Sequence, residues 1–237
     1  MKAVTYDFWD TLMWEVPGTM RELRRAAIND LVGEFGLRLQ AGAIERELLA
    51  ISALQRDAWT NGRIFQPSDG AAHFGEAIAG GELSHDQRTR MGEALFLSAT
   101  IPDLNVAEGI ADALRQLHAS GVRLAIVCDV GLTPSTVLRE CLEDAGILQY
   151  FDGWAFSDEV GCYKPAHEIF EHALDAIGVG PEDAIHVGDL RRTDVAGSRA
   201  IGMTSVRYRG VSDDSSKRYW EADHVIDHHS EIFSVLK

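Results

Sequence analysis

Short apolar runs alternate with amphipathic stretches through the second half of this 237-residue chain. An apolar run followed by a turn and a helix, repeated several times, is typical of βαβ units. Such units form a parallel sheet that helices cover on both faces. The sequence therefore predicts an α/β fold, a three-layer doubly wound parallel sheet. The predicted strands are residues 2–6, 124–127, 154–156, 184–187, 204–208 and 224–226, and the predicted helices between them are 134–144, 166–177 and 193–201.

Residues 15–104 interrupt this alternation, because their pattern predicts four helices and no convincing strand. A crossover between two parallel strands takes about 30 residues, yet more than a hundred residues separate Tyr6 from Leu124. We therefore predict an inserted all-helical subdomain over residues 15–104 and an α/β core made of residues 1–14 and 105–237. The predicted helices of the insertion are 20–35, 43–59, 70–79 and 84–99, and a helix at 106–118 leads back to the sheet.

The chain is strongly acidic, with 37 aspartates and glutamates against 22 lysines and arginines and a net charge of −15. A surface of that sign repels nucleic acid and anionic lipid, so neither is an expected partner. No apolar segment reaches the roughly 18 residues that a membrane span requires, and the N-terminal residues lack the pattern of a signal peptide. We expect a cytoplasmic protein. The sequence does not predict its oligomeric state.

Carboxylates follow several of the predicted strands. Asp7 follows the first strand, Asp129 the second and Asp189 the fourth. Asp194 comes five residues later, and Lys164, one of only four lysines, lies in the turn past the third strand. In an open α/β sheet, ligands bind beside the carboxyl ends of the strands. Because clustered carboxylates repel one another unless a cation lies among them, and because such oxygen ligands suit Mg²⁺, the sequence predicts a magnesium site at this edge.

Four short motifs occur in order along the chain: DFWDTL at 7–12, IVCD at 126–129, YKP at 163–165 and GDLRRTD at 188–194. With this order, and with a helical insertion after the first motif, the whole chain resembles the haloacid dehalogenase (HAD) superfamily in its helical-cap subgroup. The resemblance implies a Rossmann-like core, a helical cap formed by residues 15–104, and a hydrolase with an aspartate nucleophile. Most members of this superfamily are magnesium-dependent phosphatases.

The resemblance also implies a role for each matching residue. Asp7 attacks phosphorus and becomes an aspartyl phosphate, while Lys164 pairs with Asp7 and with a phosphate oxygen. Cys128 and Asp129, at the end of the second strand, are candidate contacts for the substrate phosphate. The implied metal ligands are Asp7, the backbone carbonyl of Trp9, Asp189, and Asp194 either directly or through water.

Two positions depart from the family pattern. Phosphatases of the family usually have an aspartate two residues after the nucleophile, which protonates the leaving alcohol and later activates water, and here that residue is Trp9. Asp10 comes next, but neighbouring residues of an extended segment face opposite ways, so we expect its side chain to point elsewhere. Cys128 replaces a serine or threonine donor, and a thiol donates more weakly than a hydroxyl.

The favoured function is a magnesium-dependent phosphatase for a small phosphorylated metabolite, acting through Asp7 without the usual acid. Three alternatives stay open. A 2-haloacid dehalogenase also carries an aromatic residue at the position of Trp9, although it has no use for Asp189 and Asp194. A non-catalytic binding or scaffolding protein needs no acid, and a phosphotransferase is the third alternative. His186, inside the fourth predicted strand, is expected to be an ordinary core residue.

Overall fold

The computed structural model describes residues 1–65, 70, 73–75, 77–78, 83–97 and 100–236. The chain divides into two compact units. The first contains Met1–Trp14, Leu104–Asp129 and Leu142–Lys237, and the second contains Glu15–Asp103 and Val130–Cys141. The helix expected at residues 70–79 lies partly outside the described residues, as do the last residues of the helix expected at 84–99.

A parallel six-stranded sheet forms the centre of the first unit. Its strand order is β5-β4-β1-β6-β7-β8, and β1 lies between β4 and β6 with Ala3 beside both Arg123 and Ala184. The sheet confirms the predicted fold class. The strands of the described residues are β1 Ala3–Tyr6, β2 Met13–Trp14, β3 Asn105–Val106, β4 Arg123–Cys128, β5 Gly153–Phe156, β6 Ala184–Gly188, β7 Thr204–Tyr208 and β8 His224–Ile226.

Helices cover both faces of this sheet. The described α-helices are α1 Thr19–Glu34, α2 Ala43–Thr60, α3 His85–Phe96, α4 Ile110–Ala119, α5 Ser135–Asp144, α6 Ser157–Val160, α7 His167–Ile177, α8 Ala196–Ala200 and α9 Ile232–Val235. On one face, Ala3 and Val127 pack against Phe170 of α7. Tyr6 points to the opposite face because side chains alternate along a strand. There it meets His229, whose turn also contacts α4. The β-strands are therefore enclosed between two helical layers.

A two-stranded antiparallel ladder joins the first unit where the insertion begins and ends. Met13 of β2 pairs with Val106 of β3, and Trp14 pairs with Asn105. The sequence analysis expected a helix from residue 106, and that expectation is wrong at its start. Helix α4 begins at Ile110 after Gly109, whose positive φ of 78° ends the extended segment.

The second unit is helical in its described residues. Helices α1 and α3 pack through Ile28, Met91 and Leu95, all without exposed surface. Arg24 of α1 is nearly buried and donates hydrogen bonds to the Thr133 hydroxyl and to backbone carbonyls at Leu95 and Leu132. These contacts group residues 130–141 with the second unit, whereas the sequence analysis assigned them to the core. The use of this unit as a cap stays a prediction.

Among the described residues, no helix combines the length and the apolar character that a bilayer crossing requires. The expected cytoplasmic location stays a prediction.

Gly197 in α8 generates a test of the packing between α8 and α7. A Cβ atom at Gly197 would overlap with Cε2 of Phe170 and would lie 3.1 Å from the backbone Cα of Pro165. We expect Gly197→Ala to lower the free energy of unfolding by about 1–3 kcal/mol, because the core cannot accept the methyl group without moving. Urea unfolding monitored by circular dichroism measures this change.

Gly33→Ala is the matched control, because Gly33 is helical and exposed, and a methyl group added to its Cα would meet nothing within 4 Å. There alanine is expected to be neutral or to stabilise by up to about 1 kcal/mol. Equal effects of the two substitutions would show that the predicted contact with Phe170 is absent.

Candidate active site

The candidate site lies at the carboxyl edge of the sheet. Asp7 follows β1, Asp129 follows β4 and Asp189 follows β6. Because β1 is hydrogen-bonded to both β4 and β6, these three chain segments end side by side. The backbone N–H of Asp7 donates to the carbonyl of Val187 at 2.8 Å, which fixes the start of the first motif against β6. The sheet order thus assembles residues that are far apart in sequence.

Lys164 joins the carboxylates of this site. Its Nζ donates to Oδ1 of Asp7 at 2.6 Å and to Oδ1 of Asp194 at 2.7 Å, and the side chain is only 2% exposed. Its backbone N–H donates to Oδ1 of Asp129 at 2.9 Å. Burial acts to lower the pKa of Lys164, but Asp194 and Asp7 outweigh it and hold the pKa well above its usual value. Lys164 is therefore a buried ammonium ion.

Asp7, Asp189 and Asp194 form a compact group of buried carboxylates. One oxygen from each lies within 4.8 Å of the others. Burial raises the pKa of Asp7 to about 7, against the opposing effect of Lys164. Burial, followed by the charges of Asp194 and Asp7, also raises the pKa of Asp189 well above its usual value. Three carboxylates with one ammonium leave an excess of negative charge, and this oxygen-donor set fits a hard divalent cation.

Asp194 accepts hydrogen bonds on both carboxylate oxygens. Oδ1 accepts from Lys164 at 2.7 Å and lies 3.1 Å from Nε2 of His186. Oδ2 accepts from the backbone N–H of Leu190 at 3.0 Å and from the hydroxyl of Thr193 at 3.1 Å. Burial acts to raise the pKa of Asp194, but Lys164 and His186 together hold it below its usual value. Four donors occupy the acceptor positions of this carboxylate, so the protein fixes its orientation.

Sequence reasoning missed two polar neighbours of this carboxylate group. His186 is buried as expected, yet its ring is bonded to Asp194 rather than packed only among apolar side chains. Ser212, in the loop after β7, donates its hydroxyl to Oδ2 of Asp189 at 3.2 Å. A signal for His186 was available in the sequence. His186 and Thr5 are both polar residues within central strands, and two such residues can be partners of each other. Ser212 carried no comparable signal.

Comparisons with known proteins agree with this arrangement. The model of the haloacid dehalogenase-like hydrolase family matches residues 1–202. The chain belongs to this family. It is 31% identical to a glyceraldehyde 3-phosphate phosphatase from Methanocaldococcus jannaschii over 243 residues, which cover 100% of this chain and 97% of the relative. The protein is accordingly a HAD-family hydrolase.

Solved structures of the family share its fold. A HAD phosphatase from Thermococcus onnurineus is 26% identical, with a TM-score of 0.69 over 100% of this chain and 98% of the other. A 2-haloacid dehalogenase from Pseudomonas syringae is 19% identical, with a TM-score of 0.73 over 100% of this chain and 98% of the other. At that identity the second likeness shows the fold alone.

Trp9 lies in the first motif of this HAD hydrolase, two residues after Asp7. Its half-buried ring packs edge-on against Phe8, with centroids 4.9 Å apart and an interplanar angle of 71°. Asp10 takes a left-handed conformation with φ of 55°, and its backbone N–H donates to the carbonyl of Met13. Asp10 also adds, after burial and the charges of Asp194 and Asp7, to the raised pKa of Asp189. The position two residues after Asp7 therefore carries an indole and not a carboxylate.

Cys128 ends β4 without exposed surface. Burial is the main cause that raises the pKa of its thiol well above the usual value, and the charge of Asp7 adds to it. The group is therefore a neutral thiol next to the carboxylates. Its contact with a substrate phosphate stays a prediction, as does that of Asp129, whose Oδ1 accepts from the backbone of Lys164.

His229 holds the loop that follows Asp7. This histidine has no exposed surface, and its Nε2 donates to the backbone carbonyl of Thr11 at 2.9 Å. Its ring stacks on Tyr208 with centroids 4.1 Å apart. Within the described residues, Nδ1 of His229 has no hydrogen-bond partner. Protonation would place a charge at this unpaired buried atom, and burial lowers the pKa of His229 to about 4.

The low pKa of His229 predicts a loss of stability in mild acid. The unfolded chain takes up a proton near the ordinary pKa of 6.5, whereas the native protein takes it up only near 4. The contribution of neutral His229 is therefore complete above pH 6.5 and is lost as the pH falls toward 4. The loss should be on the order of 3 kcal/mol at pH 4.

Urea unfolding between pH 4 and pH 8 measures this loss. His229→Phe should weaken the pH dependence, because it removes one of the two buried imidazoles, His186 and His229, whose pKa is lowered by burial. The exposed His172→Gln should keep the wild-type dependence, since a surface imidazole is solvated in both states. Parallel curves for wild type and His229→Phe would contradict the low pKa.

Proposed function

We propose that this HAD hydrolase is a magnesium-dependent phosphatase that acts on a small phosphorylated metabolite through an aspartyl phosphate on Asp7, with residues 15–104 as its cap. The observation that carries the proposal is the buried group in which Asp7 is bonded to Lys164 and lies within 4.8 Å of oxygens from Asp189 and Asp194. A carboxylate held beside an ammonium and other metal-binding oxygens suits attack on a phosphate. The glyceraldehyde 3-phosphate phosphatase relative supports the substrate class.

The reaction proceeds in two displacements at phosphorus. An oxygen of Asp7 attacks the phosphorus, the new Asp7–phosphorus bond forms, and the ester bond to the leaving oxygen breaks. Water then attacks the phosphorus of this intermediate, inorganic phosphate leaves and the Asp7 carboxylate is restored. Lys164 holds Asp7 in place throughout and contacts a phosphate oxygen.

Magnesium fits the remaining negative charge of the site. We assign Asp7, Asp189 and the backbone carbonyl of Trp9 as its protein ligands, with Asp194 contacting it directly or through water. The ion neutralises phosphate oxygens and favours an in-line geometry when it is bound. Because the chain as a whole carries a net charge of −15, Lys164 and the metal are the local positive charges that attract an anionic substrate.

A dehalogenase is the second candidate, favoured by the aromatic ring of Trp9. Three buried carboxylates around one ammonium count against it, because a metal-free enzyme gains nothing from the unfavourable burial of Asp189. A non-catalytic binding protein and a phosphotransferase are distinguished by assay: the first releases neither phosphate nor halide, and the second needs an acceptor other than water.

The proposal is tested with a panel of phosphate esters and 2-haloacids, assayed with magnesium and with EDTA. We expect wild type to release phosphate with magnesium only, and Asp7→Asn to lose at least about three decades of rate, because an amide cannot act as the nucleophile. Asp112→Asn is the matched control, since Asp112 is an exposed acid of the same unit and should leave the rate unchanged.

Three results would overturn the assignment. Metal-independent release of halide would show that the protein is a dehalogenase. Release of neither phosphate nor halide from any substrate would indicate a binding protein. An Asp7→Asn rate within tenfold of wild type shows that another group attacks the substrate.

Trp9 predicts a strong dependence of rate on the leaving group. A general acid typically contributes about 10²- to 10⁴-fold, and the need for it grows with the basicity of the leaving oxygen. We expect measurable hydrolysis of p-nitrophenyl phosphate and poor hydrolysis of alkyl phosphates. Trp9→Asp should raise alkyl phosphate turnover more than p-nitrophenyl phosphate turnover, because it restores a proton donor.

Trp9→Asn is the control for this experiment, since asparagine has the size of aspartate without the acid. Rates are measured against leaving-group pKa for wild type and both variants. Brisk alkyl phosphate turnover by wild type, with a flat dependence on leaving-group pKa, would show that another group supplies the proton.

A further inference from the structure

A chain of buried polar contacts runs through the centre of the sheet to Lys164. Thr5 of β1 and His186 of β6 are register partners, and Oγ1 of Thr5 lies 2.8 Å from Nδ1 of His186. Nε2 of His186 lies 3.1 Å from Oδ1 of Asp194, which accepts from Lys164 at 2.7 Å. All four residues are at least 98% buried. Buried polar groups are costly without partners, so these contacts decide how each group is oriented.

The hydrogen bonds assign the tautomer of His186. Asp194 is ionised and can only accept, so the proton on His186 facing it must lie on Nε2. In a neutral imidazole Nδ1 is then an acceptor, and the Thr5 hydroxyl opposite it is the donor. The ring of Phe170 packs edge-on at 5.0 Å between centroids, which restricts rotation of the imidazole. Thr5 and Phe170 thus fix both the tautomer and the plane of the ring.

We propose that His186 is a positioning residue of the active site: its Nε2–H donates to Asp194 and orients the carboxylate that holds Lys164 against Asp7. The inference deepens the proposed function and rests on it only for the catalytic consequence. The contact itself, and its effect on metal binding, are measurable without turnover.

Loss of the His186 donor has a specific expected effect. Asp194 would keep Lys164 on Oδ1 and the Leu190 N–H and the Thr193 hydroxyl on Oδ2, so the Oδ1 side of the carboxylate would be held less firmly. The position of Lys164 beside Asp7, one of the proposed metal ligands, would then be less strictly fixed. Removal of partners that orient metal ligands typically weakens metal binding by about 10- to 100-fold.

Two amide variants of His186 distinguish a role in orienting Asp194 from a role that is only packing in the core. The glutamine amide nitrogen reaches approximately the place of the imidazole Nε2, so His186→Gln retains a donor toward Asp194. The asparagine amide lies near the place of Nδ1, so His186→Asn retains a polar group toward Thr5 but does not reach Asp194. A purely structural role would make the two variants differ in stability alone.

The experiment combines magnesium titration calorimetry with urea unfolding for wild type, both amide variants and the control His172→Asn, an exposed histidine of α7. We expect His186→Asn to bind magnesium about 10- to 100-fold more weakly, and His186→Gln to lose less than about threefold. If the panel assay detects phosphatase activity, kcat should follow the same order with little change in KM.

Equal magnesium affinity in His186→Asn and wild type, including no binding by either, would overturn the proposal. So would a loss in His186→Gln as large as that in His186→Asn. Should the Asn variant not fold, ¹⁵N NMR of wild type at neutral pH decides: a neutral Nε2–H imidazole supports the proposal, and an Nδ1–H or doubly protonated ring overturns it. Absence of phosphatase activity in wild type would refute the proposed function. The magnesium affinities and the NMR tautomer would still test the role of His186.

Discussion

The buried ammonium of Lys164 is the interaction on which the rest of the site depends. A nearly fully buried lysine is tolerated only when its charge is paired and its donors are used. Asp7 and Asp194 supply that pairing at 2.6 and 2.7 Å. In turn, two carboxylates at the same sheet edge are tolerated because Lys164 lies between them. The partners are thus mutually required, and Asp189 adds a negative charge that this ammonium does not balance.

Two buried histidines, one on each face of the sheet, hold the residues around this group of charges in place. His186 lies on the Thr5 face and is bonded to Asp194, whereas His229 lies on the Tyr6 face and holds the carbonyl of Thr11. Burial lowers the pKa of both histidines, so both act as neutral hydrogen-bonding groups. Their donors fix one carboxylate and one loop without adding positive charge, which leaves the negative charge of the carboxylates available to a cation.

Trp9 bears on the protonation of the leaving group in the proposed phosphatase reaction and not on the attack of Asp7 on phosphorus. The proposed nucleophile Asp7 and Lys164 are buried together, whereas the position at which the family resemblance implies a proton donor holds the indole of Trp9. The edge-on contact with Phe8 anchors that ring within the loop. Asp10 is displaced by one residue and takes a left-handed backbone conformation, so its backbone path differs from that of an extended motif residue. We therefore expect the dependence of rate on the leaving group to distinguish this hydrolase from relatives that have an acid at the position of Trp9.

Sequence alone determined the parallel sheet, the helical insertion and the residues at each strand end, because apolar periodicity and motif order are local properties of the chain. The strands β7 and β8 agree with the prediction at both ends, and the other predicted strands agree to within one residue. Tertiary structure alone decided the short β2–β3 ladder, the assignment of residues 130–141 and the contacts of His186, Ser212 and His229. The place of His186 within an apolar strand indicates that its side chain is buried, but it does not show which groups meet it there. Thr5 lies 181 residues away, and only the register between β1 and β6 brings its hydroxyl to the imidazole.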